Sequence, residues 1–267
     1  MRHREQRQRR LRRGIFLLPS LLTVGNVMAG YGSLILADQG DFAKAAMLLM
    51  LAAGLDNLDG RVARATGTAT EFGLQFDSIA DIISFGVAPS FIVYRWGLLS
   101  LGRVGWAASF LFLICGAMRL ARFNTQAVSD KRYFVGLPVP AAAMVLATLI
   151  AYIPRPAGDS IFPVAVLCLV LTLSGLMVSR LRYRSFKRVE ATAARRTFPV
   201  VGIIAVVLAA VVIQPQATLL GLSLLYMISG LLPRRRATRG VPWRRAGSPR
   251  AAGPGPALDS EGRPRER

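Results

Sequence analysis

Asp56-Asn57-Leu58-Asp59-Gly60-Arg61-Val62-Ala63-Arg64, eight residues, then Gly73-Leu74-Gln75-Phe76-Asp77-Ser78-Ile79-Ala80-Asp81 sets four carboxylates between apolar stretches. A charge at the centre of a bilayer costs about 2.5–3.5 kcal/mol on insertion scales, so four at one depth need compensation. Asp56 and Asp59 are three residues apart, and Asp77 and Asp81 four apart, so each pair shares one face of its own helix. If the two helices run antiparallel, the four side chains converge on one site built only of oxygen. Hard oxygen ligands, with no His or Cys nearby, favour magnesium or manganese over zinc.

Outward from this core, apolar and nearly charge-free stretches recur at about 15–37, 42–58, 75–98, 104–121, 137–153, 161–179, 199–213 and 217–232. Most approach the roughly 20 residues that cross a bilayer. The reading is an all-α polytopic membrane protein with about eight transmembrane helices. It divides into a basic tail at 1–14, a membrane domain at 15–232 and a basic tail at 233–267 rich in Arg, Pro and Gly, the composition of a disordered segment. The first apolar stretch follows an arginine run as a signal peptide does, but its length and the spans behind it mark a first membrane helix. Cys115 and Cys168 fall inside spans and imply no disulfide framework. His3 is the only histidine and sits in the N-terminal tail, which excludes histidine-based metal sites and general bases.

A net charge of +20 invites a nucleic-acid reading. The positions of the charges argue against it. With eight spans and a cytoplasmic N-terminus, all of the 34 lysines and arginines except Lys44, Arg95, Arg103 and Arg155 fall on the cytoplasmic side. That is the positive-inside pattern, and it assigns both termini and the aspartates to the cytoplasmic face of the cell membrane. The basic tails then serve orientation and attraction to anionic lipid head groups, with no nucleic-acid partner. Trp96 and Trp106, near span ends, read as interface anchors.

The connection between the aspartate pairs, 60–73, is rich in small residues. Gly60, Ala63 and Gly73 leave room for a ligand to approach the backbone. Arg64 supplies a planar guanidinium suited to bidentate phosphate contact. Metal-binding carboxylates, small residues and an arginine together describe a diphosphate site. A divalent-cation transporter also places carboxylates in the membrane, but the arginine and the small residues favour phosphate over a bare ion.

The pattern D-G-x2-A-R-x8-G-x3-D-x3-D, running from Asp59 to Asp81 with Asp56 three residues before it, resembles the signature of the CDP-alcohol phosphotransferases. Further stretches are similar to the phosphatidylserine synthase branch of that family. They are Ser84-Phe85-Gly86-Val87-Ala88-Pro89, Arg119-Leu120-Ala121-Arg122-Phe123-Asn124, and Phe134-Val135-Gly136-Leu137-Pro138-Val139-Pro140-Ala141-Ala142-Ala143. The resemblance implies an integral membrane enzyme, a homodimer with a six-helix core (about 15–180 here); the two spans at about 199–232 are additional to that core. It implies two Mg2+ or Mn2+ ions, CDP-diacylglycerol and L-serine as substrates, and CMP as leaving group. By position, Asp56, Asp59, Asp77 and Asp81 would be metal ligands, with Asp81 also the base. Gly60, Ala63, Arg64 and Gly73 would line the CDP pocket.

Other candidates are Thr23 and Asn26, which share a face of the first span and by resemblance would contact the cytosine; the alternative is helix–helix hydrogen bonding. Arg119 and Arg122, three apart on one helix face, could meet a lipid phosphate or the carboxylate of serine, or could be ordinary inside charges. Asn124 and Lys131 are further acceptor-side candidates. The same chemistry with glycerol 3-phosphate or an inositol phosphate as acceptor remains an alternative.

Overall fold

The computed structural model describes residues 2–67, 70–125, 133–155, 161–179, 181–184 and 197–230. Lys131 and the 233–267 tail lie outside the described residues. Eight helical segments occupy most of them: α1 (Arg2–Asp38), α2 (Phe42–Thr66), α3 (Glu71–Leu101), α4 (Arg103–Thr125), α5 (Val139–Tyr152), α6 (Ile161–Val178), α7 (Thr197–Ile213) and α8 (Pro215–Ser229). Four stretches, Pro19–Asp38 of α1 and the whole of α3, α4 and α6, are long and apolar enough to cross a bilayer by themselves. α2 is also long but carries the charged end of the site, and α5 with 14 residues rises only ~21 Å.

Small residues make up much of the packing between helices, beside large buried ones such as Phe85, Phe112 and Leu49. Ala29, Ala45, Ala46, Ala52, Ala88, Ala142, Ala143 and Ala147 are all at most 5% exposed. Large apolar residues such as Leu21, Met28, Met47, Leu51, Phe110 and Val164 face outward. Lipid is as apolar as leucine, so burying leucine brings no gain there, and small residues bring helices close enough for dispersion contacts. α1 packs along α2; α5 packs on α2 and on α8; α4 packs on α6.

Two features depart from the sequence reading. α2 does not stop near residue 58 but continues to Thr66, so Gly60, Ala63 and Arg64 lie on a helix rather than in a connection. Arg61-Val62-Ala63-Arg64-Ala65 has ample helix propensity, and the helix ends only at Gly67, whose N–H donates to the Ala63 carbonyl. Trp96 is 2% exposed and is no interface anchor. Its indole N–H donates to the Ile153 carbonyl just past α5 at 2.9 Å, and its ring meets Phe162 edge-on. A carbonyl at a helix end needs a donor, and the indole supplies it. Trp106 is 59% exposed and fits the anchor role.

α3 is wound more widely over Ile82–Val87, directly after Asp81, and again over Tyr94–Leu98. Pro89 has no N–H to give to the preceding turn, which accounts for the first widening. There α1 crosses closely. Gly30 of α1 faces Ser84 of α3, and the Ser84 hydroxyl donates to the Asn26 carbonyl at 3.1 Å.

A short antiparallel ladder, β1 (Tyr133–Val135) with β2 (Arg182–Arg184), joins the chain before α5 to the chain after α6. Gly136 and Leu137 extend the link: their N–H groups donate to Leu181 and Leu176 carbonyls at 2.8 and 3.0 Å. Gly136 has φ +81°, and a Cβ there would collide with the Met177 carbonyl oxygen. Gly136→Ala is therefore expected to lower the melting temperature measurably in a thermal-shift assay in detergent. An unchanged value would mean that this link does not hold α5 to α6.

At the end of the bundle away from the aspartates, two of the exceptional cations have acid partners. Lys44 pairs with Asp41 at 2.7 Å, and Arg95 reaches the Asp38 carboxylate at 3.4 Å and its carbonyl at 2.9 Å. Exposed pairs of this kind contribute little stability. Their bearing is on topology, because a neutralised cation carries less weight in orienting the chain.

Candidate active site

Three helices bring the acidic residues together. α2 delivers Asp56 and Asp59 from its second half, and α3 delivers Asp77 and Asp81 from its first. One carboxylate oxygen from each of Asp56, Asp59 and Asp77 lies within 4.8 Å of the other two. Asp81 stands beside this trio, its carboxyl against that of Asp56. α1 supports the group from below: Asp59 is 4% exposed, and the Thr23 hydroxyl lies 3.0 Å from its Oδ2. The same hydroxyl is 3.0 Å from the Pro19 carbonyl; with one proton it serves one acceptor at a time, and the carboxylate is the stronger.

Several buried polar atoms have no protein partner: Asp77 Oδ1, Asp81 Oδ1, both amide atoms of Asn26, and Arg119 Nε. Buried polar atoms are normally paired, and each orphan calls for an explanation. A cation between the carboxylates would satisfy the aspartate oxygens. The donor set of oxygen alone, from three carboxylates within reach of one point and a fourth alongside, fits a hard divalent ion. Asn26 is fully buried, and its backbone is fixed by Ser84, so its amide presents a donor and an acceptor with no local use.

Arg64 is exposed on the surface of α2, one turn beyond Gly60, with its guanidinium folded back over that glycine. A Cβ at position 60 would lie 3.3 Å from Arg64 Nη1, so glycine leaves room for the guanidinium against the backbone. Ala63 is half-buried, and its carbonyl receives the capping N–H of Gly67. Gly73 serves the start of α3, where its N–H donates to the Thr70 hydroxyl at 3.0 Å.

On α4, Arg119 and Arg122 separate. Arg119 is half-buried and lies within electrostatic reach of Asp81, whereas Arg122 is exposed. Asn124 is also exposed, and its amide donates to the Ser78 hydroxyl at 3.0 Å, tying the last turn of α4 to the turn of α3 that carries Asp77 and Asp81. Ser78, Ser84 and Gly30 were not singled out from sequence. Serine and glycine in a span are too common to attract notice, and only the helix crossing gives them meaning.

Such an arrangement defines a class: a polytopic membrane protein with a cluster of carboxylates at one end of its helices that could hold a cation, and an arginine one turn beyond it. The chain belongs to the CDP-alcohol phosphatidyltransferase family, whose sequence profile matches residues 16–176. It is 41% identical over 182 residues to a CDP-diacylglycerol–serine O-phosphatidyltransferase of Helicobacter pylori, covering 66% of this chain and 75% of that one. A Mycobacterium leprae protein of the same name is 35% identical over 218 residues, 79% of this chain and 72% of the relative. An archaetidylserine synthase of Methanothermobacter thermautotrophicus is 39% identical over 133 residues, 49% of this chain and 56% of the relative.

Proposed function

We propose that this protein is a CDP-diacylglycerol–serine O-phosphatidyltransferase, moving a phosphatidyl group from CDP-diacylglycerol to the hydroxyl of L-serine and releasing CMP. The observation that carries this reading is the convergence of Asp56, Asp59 and Asp77 on one point, with Asp81 alongside and Arg64 laid over Gly60. The names of the relatives support serine as the acceptor.

Asp56, Asp59, Asp77 and Asp81 would hold magnesium or manganese, two ions by resemblance. Bound there, the ions supply charge neutralisation for the diphosphate. Thr23 keeps Asp59 oriented, and Arg64 meets the phosphate oxygens on which charge builds as CMP departs. Asn26 offers its unpaired amide to the cytosine edge. The serine hydroxyl gives its proton to Asp81 as its oxygen attacks the phosphorus that bears the diacylglycerol. The new P–O bond forms as the bond to CMP breaks, and CMP leaves with the electron pair. The lipid enters sideways from the leaflet, and serine arrives from the cytoplasm.

In the same reading the site and both termini face the cytoplasm, which the placement of lysines and arginines supports. The homodimer rests on resemblance alone.

The test is CMP release by the detergent-purified chain given CDP-diacylglycerol, magnesium or manganese, and one alcohol at a time. Release with serine, lost on chelation, is expected. Release only with glycerol 3-phosphate or an inositol phosphate would move the acceptor assignment while leaving the aspartates in place. Metal flux without CMP release would favour a transporter.

A further inference from the structure

Asp77 and Asp81 ride on the first turns of α3, which run straight into the widened stretch Ile82–Val87. There the backbone bonds reach one residue further than in an α-helix: the Ala88 N–H donates to the Ile83 carbonyl. The winding of that stretch sets the direction of the turns before it. Asp77 stands five residues out from Ile82, about 8 Å along the axis, so a small swing at the widened stretch displaces its carboxylate relative to Asp56 and Asp59 on α2. Cation ligation tolerates errors of only about 0.2 Å in ligand distance. The carboxylates also repel one another, which works to part α3 from α2.

α4 lies along α3 across this stretch and meets it on both sides. On one side, a Cβ at Gly86 would lie 3.1 Å from Leu113 Cδ1, so Leu113 seats on the widened stretch itself. On the other, beyond Asp81, the Asn124 amide donates to the Ser78 hydroxyl at 3.0 Å. Leu113 with Gly86 and Asn124 with Ser78 make an antiparallel pairing, in which α4 bridges the change of winding as a splint does. α4 is itself held in place: it packs along α6, and a Cβ at Gly116 would meet Val139 Cγ1 at 3.4 Å. Ser78 gives its one proton to the Leu74 carbonyl at 3.0 Å, which leaves its lone pairs for the Asn124 amide.

We propose that Asn124 is a positioning residue for the cation site: through Ser78 it holds the turn bearing Asp77 and Asp81 against α4, and so sets the affinity of the four carboxylates for a divalent ion. The proposal rests on the reading of the aspartates as a cation site. It moves Asn124 from the acceptor side, where its place in the sequence had put it, to the support of the carboxylates.

The test is Mn2+ binding to the full-length chain in detergent, followed by the loss of the free-ion electron paramagnetic resonance signal. Asn124→Ala and Ser78→Ala are each expected to weaken Mn2+ binding about three- to tenfold, the scale of one hydrogen bond. The double variant should be little worse than the weaker-binding single one, since both changes remove one interaction. CMP release by Asn124→Ala should fall at limiting Mn2+ and recover at saturating Mn2+, which a merely structural defect would not do. Thr125→Ala is the control, because the Thr125 hydroxyl bonds only within α4, to the Ala121 and Arg122 carbonyls. It should bind Mn2+ as the parent does. An equal loss in Thr125→Ala would trace the effect to fraying of α4 and overturn the proposal. Unchanged Mn2+ affinity in Asn124→Ala and Ser78→Ala overturns it as well. So does a raised serine KM in Asn124→Ala with Mn2+ affinity intact, which would make Asn124 a contact of the acceptor. If the parent chain binds no Mn2+, the cation reading itself fails and the proposal with it.

Discussion

Asp81→Asn is expected to lower CMP release at least about a hundredfold while CDP-diacylglycerol binding is retained. General-base catalysis contributes on the order of 10²–10⁴ in rate, and an amide cannot accept a proton at neutral pH. Shape is preserved, so the substitution isolates the chemistry. Asp81 is also the carboxylate outside the trio that shares one point, which makes it the one most free to act on a proton. Its Oδ1 is buried without a partner, and Asn124 and Ser78 steady the turn that carries it. The variant should be no less stable than the parent, because it removes one of four carboxylates that repel one another in a confined space. Two assays decide: single-turnover CMP release, and equilibrium binding of the CDP-lipid with metal present. Normal turnover would remove Asp81 from the base role. Turnover and lipid binding lost together would mean that its hold on the ion, and not base catalysis, accounts for the loss.

What could be read from the sequence, and what could not, follows the range of the interaction. The aspartate pairs were legible because their spacing is local: three and four residues apart means one face of a helix whatever the rest of the chain does. Helical segments were legible from uninterrupted apolar length. Their ends were less so. Hydropathy falls at Asp56, but helix propensity does not fall until Gly67, and the apolar stretch was therefore shorter than the helix.

Trp96 failed for a different reason. A tryptophan near the end of a span has the same sequence context whether it faces the interface or caps a neighbouring helix. Only the position of Ile153, 57 residues away, separates the two. The β1–β2 ladder pairs segments about fifty residues apart with no strand-like pattern to announce it. Likewise Arg119 and Arg122 were one face by spacing. Burial divides them, and burial depends on how the helices pack, which the spacing does not give.

Gly30→Ala is the second change expected to have a large effect, and it reaches the site through packing alone. A Cβ at Gly30 would stand 2.5 Å from Ser84 Oγ, 2.9 Å from Ser84 Cα and 3.0 Å from Ser84 Cβ. Rotating the hydroxyl away relieves only the first of these, so the helices themselves must part. Overpacking of this kind costs typically 1–3 kcal/mol. The displacement falls where it matters for function. Asn26 lies one turn from Gly30 on α1 and gives its carbonyl to Ser84, and Thr23 lies a further turn along against Asp59. Pushing α1 off α3 should therefore weaken CDP-lipid binding as well as lower the melting temperature. The double variant Gly30→Ala/Ser84→Gly removes both side-chain contacts and leaves only the 2.9 Å contact with Cα, so it should recover part of both losses. Recovery of stability without recovery of lipid affinity would mean that the Ser84 hydroxyl itself, through its hold on Asn26, is needed at the site. Recovery of neither would mean that the close crossing of α1 and α3 is not what sets the site's geometry.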